Sequence, residues 1–146
     1  MKFDKSKKLL VIGRAGMDIY PEPPGTKISD VQEFSTHLGG SAANTCVALS
    51  KLGVSSDLIT CISDDAIGEY IFKKLEDFNV GSNLCRRVDK KFQTQVAVVE
   101  TILKNNQSIL YRNNSCDLQL DKEDIDKINF QYYSAVFISG TALSSS

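Results

Sequence analysis

The sequence predicts an α/β fold with a mostly parallel sheet, and three observations lead to this prediction. Segment 8–13 is a continuous apolar run that ends in glycine, which is typical of a strand buried on both faces. A helical pattern over 42–52, stopped by Gly53, separates this run from a second apolar strand at 57–62. A strand, a helix of this length and another strand form a right-handed crossover, so we expect the two strands to be parallel.

Further elements continue the alternation. After Asp64 and Asp65, apolar residues recur at helical spacing with charged residues between them, which predicts an amphipathic helix. Its apolar positions are Ile67, Ile71, Leu75 and Phe78. A helix at 121–128 and a buried strand at 135–140 are predicted to follow.

Two segments interrupt the alternation. The proline-rich stretch 21–25 leads into strand-like residues at 26–34. Residues 94–103 and 108–112 flank a polar turn at 104–107, which predicts a β-hairpin. Hairpins inserted into a doubly wound sheet commonly project over the carboxyl ends of its strands, where ligands bind.

Composition narrows the class of protein. The chain has 146 residues, 42% of them hydrophobic, so we expect one domain or a piece of a larger one. Its net charge is −1 and its basic residues occur in short pairs, which argues against nucleic-acid binding. No apolar run is long enough to cross a bilayer, and the polar start lacks a signal sequence. We therefore predict a cytoplasmic protein without a membrane partner.

Cysteine and histidine usage predicts no metal site. The four cysteines are widely spaced without a C-x-x-C pair, and His37 is the only histidine. We expect reduced, structural thiols. We also expect His37 to be an ordinary, partly buried residue and not a ligand.

The segment 38–44 is the strongest candidate for a binding site. Gly39 and Gly40 allow a ligand to approach the backbone, and the following helix directs N–H groups towards that point. Asn44 adds a donor and an acceptor, which suits neighbouring hydroxyl groups. The alternative is a simple turn in which Ser41 caps the helix.

Five features, in this order, resemble the amino-terminal half of a PfkB (ribokinase-like) carbohydrate kinase. They are VIG at 11–13, Asp18, GGSAAN at 39–44, LG at 52–53 and SDDAIG at 63–68. Within that family, IGRAGMDIY at 12–20 and YRNNSCD at 111–117 are most similar to the 5-dehydro-2-deoxygluconokinase subfamily. The resemblance implies a ribokinase-like fold, mostly parallel and flanked by helices, with an inserted β lid at about 18–36 and 93–113. Residues 1–146 then form the substrate-binding part of an incomplete kinase domain.

The resemblance also implies roles for individual residues. Asp18, expected at the end of the first strand, corresponds to the family's acceptor of sugar hydroxyls. Gly39, Gly40 and Asn44 correspond to its sugar-binding glycine pair and asparagine. Arg112 resembles the lid arginine that grips a substrate carboxylate, a task for which the guanidinium fork is suited, and Arg14 shares that role as a second candidate. The alternative for Arg14 is a solvent-facing strand end.

Cofactor expectations follow from the same resemblance. ATP and Mg²⁺ are expected to bind mainly through a carboxyl-terminal half, because the family's Gly-Ala-Gly-Asp segment, with its catalytic base, is absent from these 146 residues. The chain stops shortly after a buried strand, so we expect further polypeptide downstream. The resemblance also implies that the Asp64-Asp65 pair mainly caps the following helix and is not a metal-binding pair. We therefore predict a fragment that binds substrate, has no catalytic residue and no metal ligand of its own, and is inactive.

Two other functions stay open. The first is another sugar or nucleoside kinase of the family, of the ribokinase, fructokinase or 2-keto-3-deoxygluconate kinase type. The second is a non-catalytic sugar-binding or dimerisation module. Lid-to-lid homodimers are common in the family, and the predicted hairpin offers strand edges for one.

Overall fold

The computed structural model describes residue 4 and residues 6–140, which form two four-stranded sheets with helices packed on the first. The serine triplet at 144–146 lies outside the described residues. The strands are β1 (Lys8–Ile12), β2 (Gly16–Glu22), β3 (Glu33–Gly39), β4 (Ser56–Ser63), β5 (Cys85–Val88), β6 (Val96–Val99), β7 (Ser108–Tyr111) and β8 (Tyr133–Ile138). The helices are α1 (Ser41–Lys51), α2 (Ala66–Asp77) and α3 (Lys122–Asp126), with 3₁₀ turns at Ile28–Asp30, Cys116–Gln119 and Phe130–Tyr132.

The first sheet is the predicted parallel sheet. Its strand order is β5-β4-β1-β8, and each neighbouring pair is parallel. β1 lies between β4 and β8, which places its carboxyl end at the centre of one edge of the sheet. The predicted α/β class and parallel arrangement are therefore confirmed.

Side chains of β1 fill both faces of this sheet, as the continuous apolar run predicts. Val11 packs on one face with Ala43 of α1 and Ile71 of α2. Leu10, on the opposite face, joins a cluster that includes Ile125 of α3. Because successive side chains of a strand point to opposite faces, a strand covered on both sides must be apolar throughout.

The strand β5 was not predicted from the sequence. Its two arginines, Arg86 and Arg87, interrupt the apolar pattern that marks a buried strand. Both have partners: Arg86 Nε donates to Asp124 Oδ1 at 2.7 Å, and the Arg87 guanidinium lies 4.3 Å from the centre of the Phe72 ring. Contacts with other elements thus stabilise two charged residues in a strand that the local apolar pattern does not predict.

The helices agree with the predicted pattern except at their ends. α2 begins directly after Asp65, whose Oδ1 accepts the N–H of Gly68 at 2.9 Å, so the predicted capping role is confirmed. α3 is shorter than the predicted 121–128, because after Asp126 the chain tightens and the Ile128 N–H donates to the Ile125 carbonyl at 3.1 Å. None of the helices in the described part of the chain has the length and apolar character needed to cross a bilayer.

The second sheet has the order β3-β2-β6-β7. The stretch 26–34, whose residues are strand-like by composition, holds the 3₁₀ turn Ile28–Asp30, and only its last two residues enter β3. The sequence did not predict β2, since glycine, aspartate and proline disfavour strands by propensity. Pairing with β3 on one side and β6 on the other stabilises β2.

The predicted hairpin at 94–112 is present but shorter. β6 and β7 pair antiparallel with Val99 opposite Ser108. The Glu100 carboxylate then accepts the N–H groups of Gln107 and of Ile28, each at 2.9 Å. Because the carboxylate accepts these two backbone N–H groups, the regular strand pairing ends here. The same carboxylate links the loop between β2 and β3 to the hairpin loop between β6 and β7.

The cysteines are free thiols, as predicted, and Cys46, Cys61 and Cys116 are buried. Burial raises the pKa of Cys46 to about 11 and that of Cys61 to about 12. Thiolate is the reactive form of cysteine, so these groups are unreactive at neutral pH and contribute to packing.

Candidate functional site

The candidate site lies where the two sheets meet, at the carboxyl end of β1. After Ile12 the chain crosses in three residues into β2, and β3 returns to the same point and enters α1 through Gly40. At this edge the Ser139 N–H, just after β8, donates to the Ile12 carbonyl at 3.0 Å. The junction thus brings together segments that are far apart in the sequence.

Asp18 does not lie at the end of the first strand, where it was expected, but inside β2 of the second sheet. It pairs with His37 of β3. A β-carbon built on Gly39 would overlap the Asp18 carboxylate, including Oδ2 at 2.8 Å. Gly39 is therefore the residue that leaves room for the carboxylate to lie across β3, towards the start of α1.

Gly40 is the N-cap of α1 and has a φ of 94°. The alternative in which Ser41 caps the helix is therefore wrong, because Ser41 is already its first residue. A β-carbon on Gly40 would collide with the Arg14 carbonyl group and would lie 2.9 Å from Ala15 Cα. The backbone at Gly40 thus rests directly on the connection between β1 and β2.

The first turn of α1 is attached to this connection by a backbone hydrogen bond, and a second bond closes the turn on the N-cap residue. The Ala43 N–H donates to the Arg14 carbonyl at 3.3 Å, and the Asn44 N–H donates to the Gly40 carbonyl at 2.9 Å. The Asn44 side chain, on the same turn, is exposed. An exposed amide at a helix N-terminus can both donate to and accept from a polyol.

Burial raises the pKa of the Asp18 carboxyl above its usual value, while a hydrogen bond from Tyr20 and the positive charges of Arg14 and His37 oppose that shift. The Tyr20 hydroxyl donates to Asp18 Oδ2 at 3.4 Å. Burial thus disfavours the charged form of the carboxylate more than these three neighbours stabilise it. A ligand that brings hydroxyl donors would supply what is missing.

Tyr20 is a residue of this site that the sequence reasoning missed. Its ring meets the His37 ring edge to face, with 5.3 Å between centroids. His37 is exposed, and its Nε2 lies 3.3 Å from Ser35 Oγ. The signal available in the sequence was the two-residue spacing of Asp18 and Tyr20, which puts both on one face of a strand.

The two candidate arginines have different surroundings. Arg14 is half-buried, its charge acts on Asp18, and its buried Nε has no hydrogen-bond partner among residues 4 and 6–140. Arg112 pairs with Asp117, whose Oδ2 accepts from Nη2 at 2.8 Å and from Nε at 3.2 Å. The Arg112 side chain is only 13% exposed. Arg112 thus already has a carboxylate partner within the chain.

The fold and this junction define an α/β protein of the ribokinase-like class, with a carboxylate beside a glycine-bounded helix N-terminus. The chain belongs to the pfkB family of carbohydrate kinases, whose family model matches residues 6–146.

Known relatives are about twice as long as this chain. The 5-dehydro-2-deoxygluconokinase of Photobacterium profundum is 34% identical over 143 residues, which cover 98% of this chain but 43% of that protein. The fructokinase structure from Halothermothrix orenii superposes with a TM-score of 0.79 at 25% identity, covering 95% of this chain and 48% of the fructokinase. An uncharacterized sugar kinase of Pyrococcus horikoshii, solved in complex with ATP, superposes with a TM-score of 0.71 at 29% identity. The match covers 85% of this chain and 39% of the P. horikoshii chain. The chain therefore spans less than half the length of the relatives it matches.

Proposed function

We propose that this chain forms the substrate-binding part of an ATP-dependent sugar kinase. The observation that supports this most directly is the Asp18 carboxylate, half-buried, lying over Gly39 beside the start of α1. A carboxylate accepts two hydroxyl donors, and the exposed Asn44 amide in the first turn of α1 both donates and accepts. Gly40 brings the helix backbone close enough to contact the same ligand. Together these groups suit the edge of a polyol.

We propose 5-dehydro-2-deoxy-D-gluconate as the substrate, phosphorylated on its 6-hydroxyl as one step of inositol catabolism. Support comes from the relative's name and from the candidate arginines Arg14 and Arg112, since this substrate carries a carboxylate. Arg14 is the better placed, because its charge already acts on Asp18 and its Nε lacks a partner in the described part of the chain. Arg112 would have to exchange Asp117 for the ligand.

The remaining kinase components are proposed to lie outside these 146 residues. The sequence contains no Gly-Ala-Gly-Asp segment. Among the described residues no group of three or more His, Cys, Asp and Glu side chains is placed to hold a metal ion, so they do not by themselves fit Mg²⁺. We therefore assign substrate binding to this part, and ATP, Mg²⁺ and the catalytic base to another. The four free cysteines favour the reducing cytoplasm as its location.

We also propose that two copies associate through the second sheet. Phe34, Ile109 and Tyr111 are exposed by 48%, 38% and 59%. The strand registers place these three side chains on the face opposite Asp18, because Phe34 aligns through Pro21 with the β2 residues of that face and Ile109 aligns through Val98 with Ile19. An apolar face behind the site can pair with a second copy while the Asp18 face stays free.

A binding and turnover experiment tests the division of labour. The 146-residue chain is expected to bind 5-dehydro-2-deoxy-D-gluconate in calorimetry but to release no ADP when ATP and Mg²⁺ are added. Phosphoryl transfer needs a metal-triphosphate site and a base, which we assign to another part of the enzyme. ATP-dependent turnover that disappears in Asp18→Ala would contradict the proposal, and so would the absence of sugar-acid binding.

Single substitutions distinguish which of the two arginines, Arg14 or Arg112, binds the substrate carboxylate. Arg14→Met is expected to weaken binding of 5-dehydro-2-deoxy-D-gluconate by about 30-fold and of D-fructose by less than threefold, because a charged hydrogen bond is worth about 2 kcal/mol. Arg112→Met is expected to weaken both ligands equally, since it releases Asp117 and disturbs the hairpin. Calorimetric Kd values for the four combinations decide between them. A selective loss in Arg112→Met alone would assign the carboxylate to Arg112.

A further inference from the structure

A buried glutamine lies beside the candidate site and has no role so far. Gln95, just before β6, is 3% exposed. Its Nε2 donates to the Ala15 carbonyl at 2.5 Å, and its backbone carbonyl accepts the Met17 N–H at 3.1 Å. Its Oε1 is buried and has no hydrogen-bond partner among the residues that the structure describes. One end of the amide is thus held in place, and the other end is an acceptor without a donor.

The strand register shows where this amide lies relative to Asp18. Gly16 of β2 is paired directly with Gly39 of β3. A β-carbon built on Gly16 would lie 2.7 Å from Gln95 Cδ, just as one built on Gly39 would meet the Asp18 carboxylate. Directly opposed positions of an antiparallel pair share a face and have β-carbons about 5 Å apart. The carboxamide and the carboxylate therefore cover neighbouring glycines on one face of the second sheet.

We infer that Gln95 is a specificity-determining residue, whose Oε1 is uncovered when substrate binds and then accepts a hydrogen bond from a substrate hydroxyl adjacent to the one bound by Asp18. The inference rests on the proposed sugar-binding function. A buried acceptor that stays unpaired is costly, so a partner is expected in the working state. Because Nε2 is fixed on Ala15, the amide cannot turn over to present a donor. The site then offers two acceptors side by side, and it selects ligands with two neighbouring hydroxyl donors.

A competing explanation is purely structural, with Gln95 acting only as a clamp between β6 and the β1-β2 connection. A clamp affects every ligand equally, whereas an acceptor affects only ligands that carry its hydroxyl. The test therefore uses 5-dehydro-2-deoxy-D-gluconate and its 3-deoxy and 4-deoxy analogues. These probes are titrated into the wild-type 146-residue chain and into Gln95→Met, which keeps the side-chain length but removes both polar atoms.

The expected result is selective. Gln95→Met should bind the parent sugar acid about 10-fold more weakly than the wild type. It should bind one of the two deoxy analogues within twofold of the wild type, because that analogue lacks the hydroxyl in question. Gln93→Met, the same change at an exposed position two residues earlier, serves as the control and should bind all three probes like the wild type.

Equal losses for all three probes in Gln95→Met, or no loss for any, would overturn the inference while leaving the proposed function intact. Failure of the wild type to bind any probe would instead overturn the proposed function, and the inference with it. If Gln95→Met does not fold, the wild-type chain decides the matter through the NMR signals of the Gln95 carboxamide, assigned by their proximity to Gly16. These signals should shift with the parent sugar acid and not with one analogue. Unchanged signals with every probe would refute the role.

Discussion

Replacing Asp18 with asparagine is expected to weaken binding of 5-dehydro-2-deoxy-D-gluconate by about 100-fold, because each hydrogen bond to a charged group is worth about 1.5–3 kcal/mol and the amide keeps only part of the acceptor capacity. The change preserves the shape of a side chain that fits closely over Gly39. Calorimetric titration at pH 7 gives the affinity of both proteins.

The control for this substitution is Asp126→Asn. Asp126 lies at the end of α3 with its side chain 61% exposed, and its partner Lys122 is 3.7 Å away in a surface pair that contributes little. Affinity should not change in this variant. An Asp18→Asn protein that binds the sugar acid as tightly as the wild type would show that the carboxylate has no part in recognition.

The thermal stability of Asp18→Asn distinguishes a role of Asp18 in binding from a role in folding. Burial raises the pKa of Asp18 in the folded chain, so the folded state holds its proton more firmly than the unfolded state does. Stability associated with that proton is present below the unfolded pKa and is lost as pH rises through the folded pKa. Asp18→Asn should therefore melt at or above the wild-type temperature at pH 7, and this advantage should shrink below pH 4. Loss of function with retained stability is typical of a residue selected for binding.

Replacing Gly40 with alanine is expected to destabilise the chain by about 3 kcal/mol, a fall of about 10 °C in Tm. The φ of 94° is unfavourable for any residue with a β-carbon, and the new methyl group would meet the backbone of Arg14 and Ala15. The start of α1 would have to move away from the β1-β2 connection. Thermal denaturation followed by circular dichroism measures the change.

Gly25 supplies a matched control for the Gly40 substitution. Its φ of 92° is nearly the same, but a β-carbon there would have no atom within 4 Å. Gly25→Ala should therefore cost about 1 kcal/mol, the conformational penalty alone. The difference between the two variants isolates the close approach of Gly40 to Arg14. Equal destabilisation by both would mean that this approach contributes nothing.

Much of the candidate site could be predicted, but not its arrangement. The glycine pair and Asn44 are close in sequence, so a local motif identifies them together, and resemblance to the family added Asp18. The strand that carries Asp18 was not predicted, because it contains glycine, aspartate and proline, which have low strand propensity. Tyr20 and Gln95 were missed for a related reason, since a tyrosine or a glutamine in a strand pattern is ordinary until its neighbours are known.

The centre of the parallel sheet follows from the sequence, whereas its edge strand β5 does not. Burial of β1 on both faces requires an unbroken apolar run, and burial of α2 on one face requires apolar residues at helical spacing, so both environments leave a local periodic pattern. The site is different, because it depends on which strands pair and in which register. Gly16 opposite Gly39 sets the Gln95 amide beside the Asp18 carboxylate, although these residues are separated by long stretches of chain. Register is fixed by the summed packing of the whole sheet, and no single segment records it.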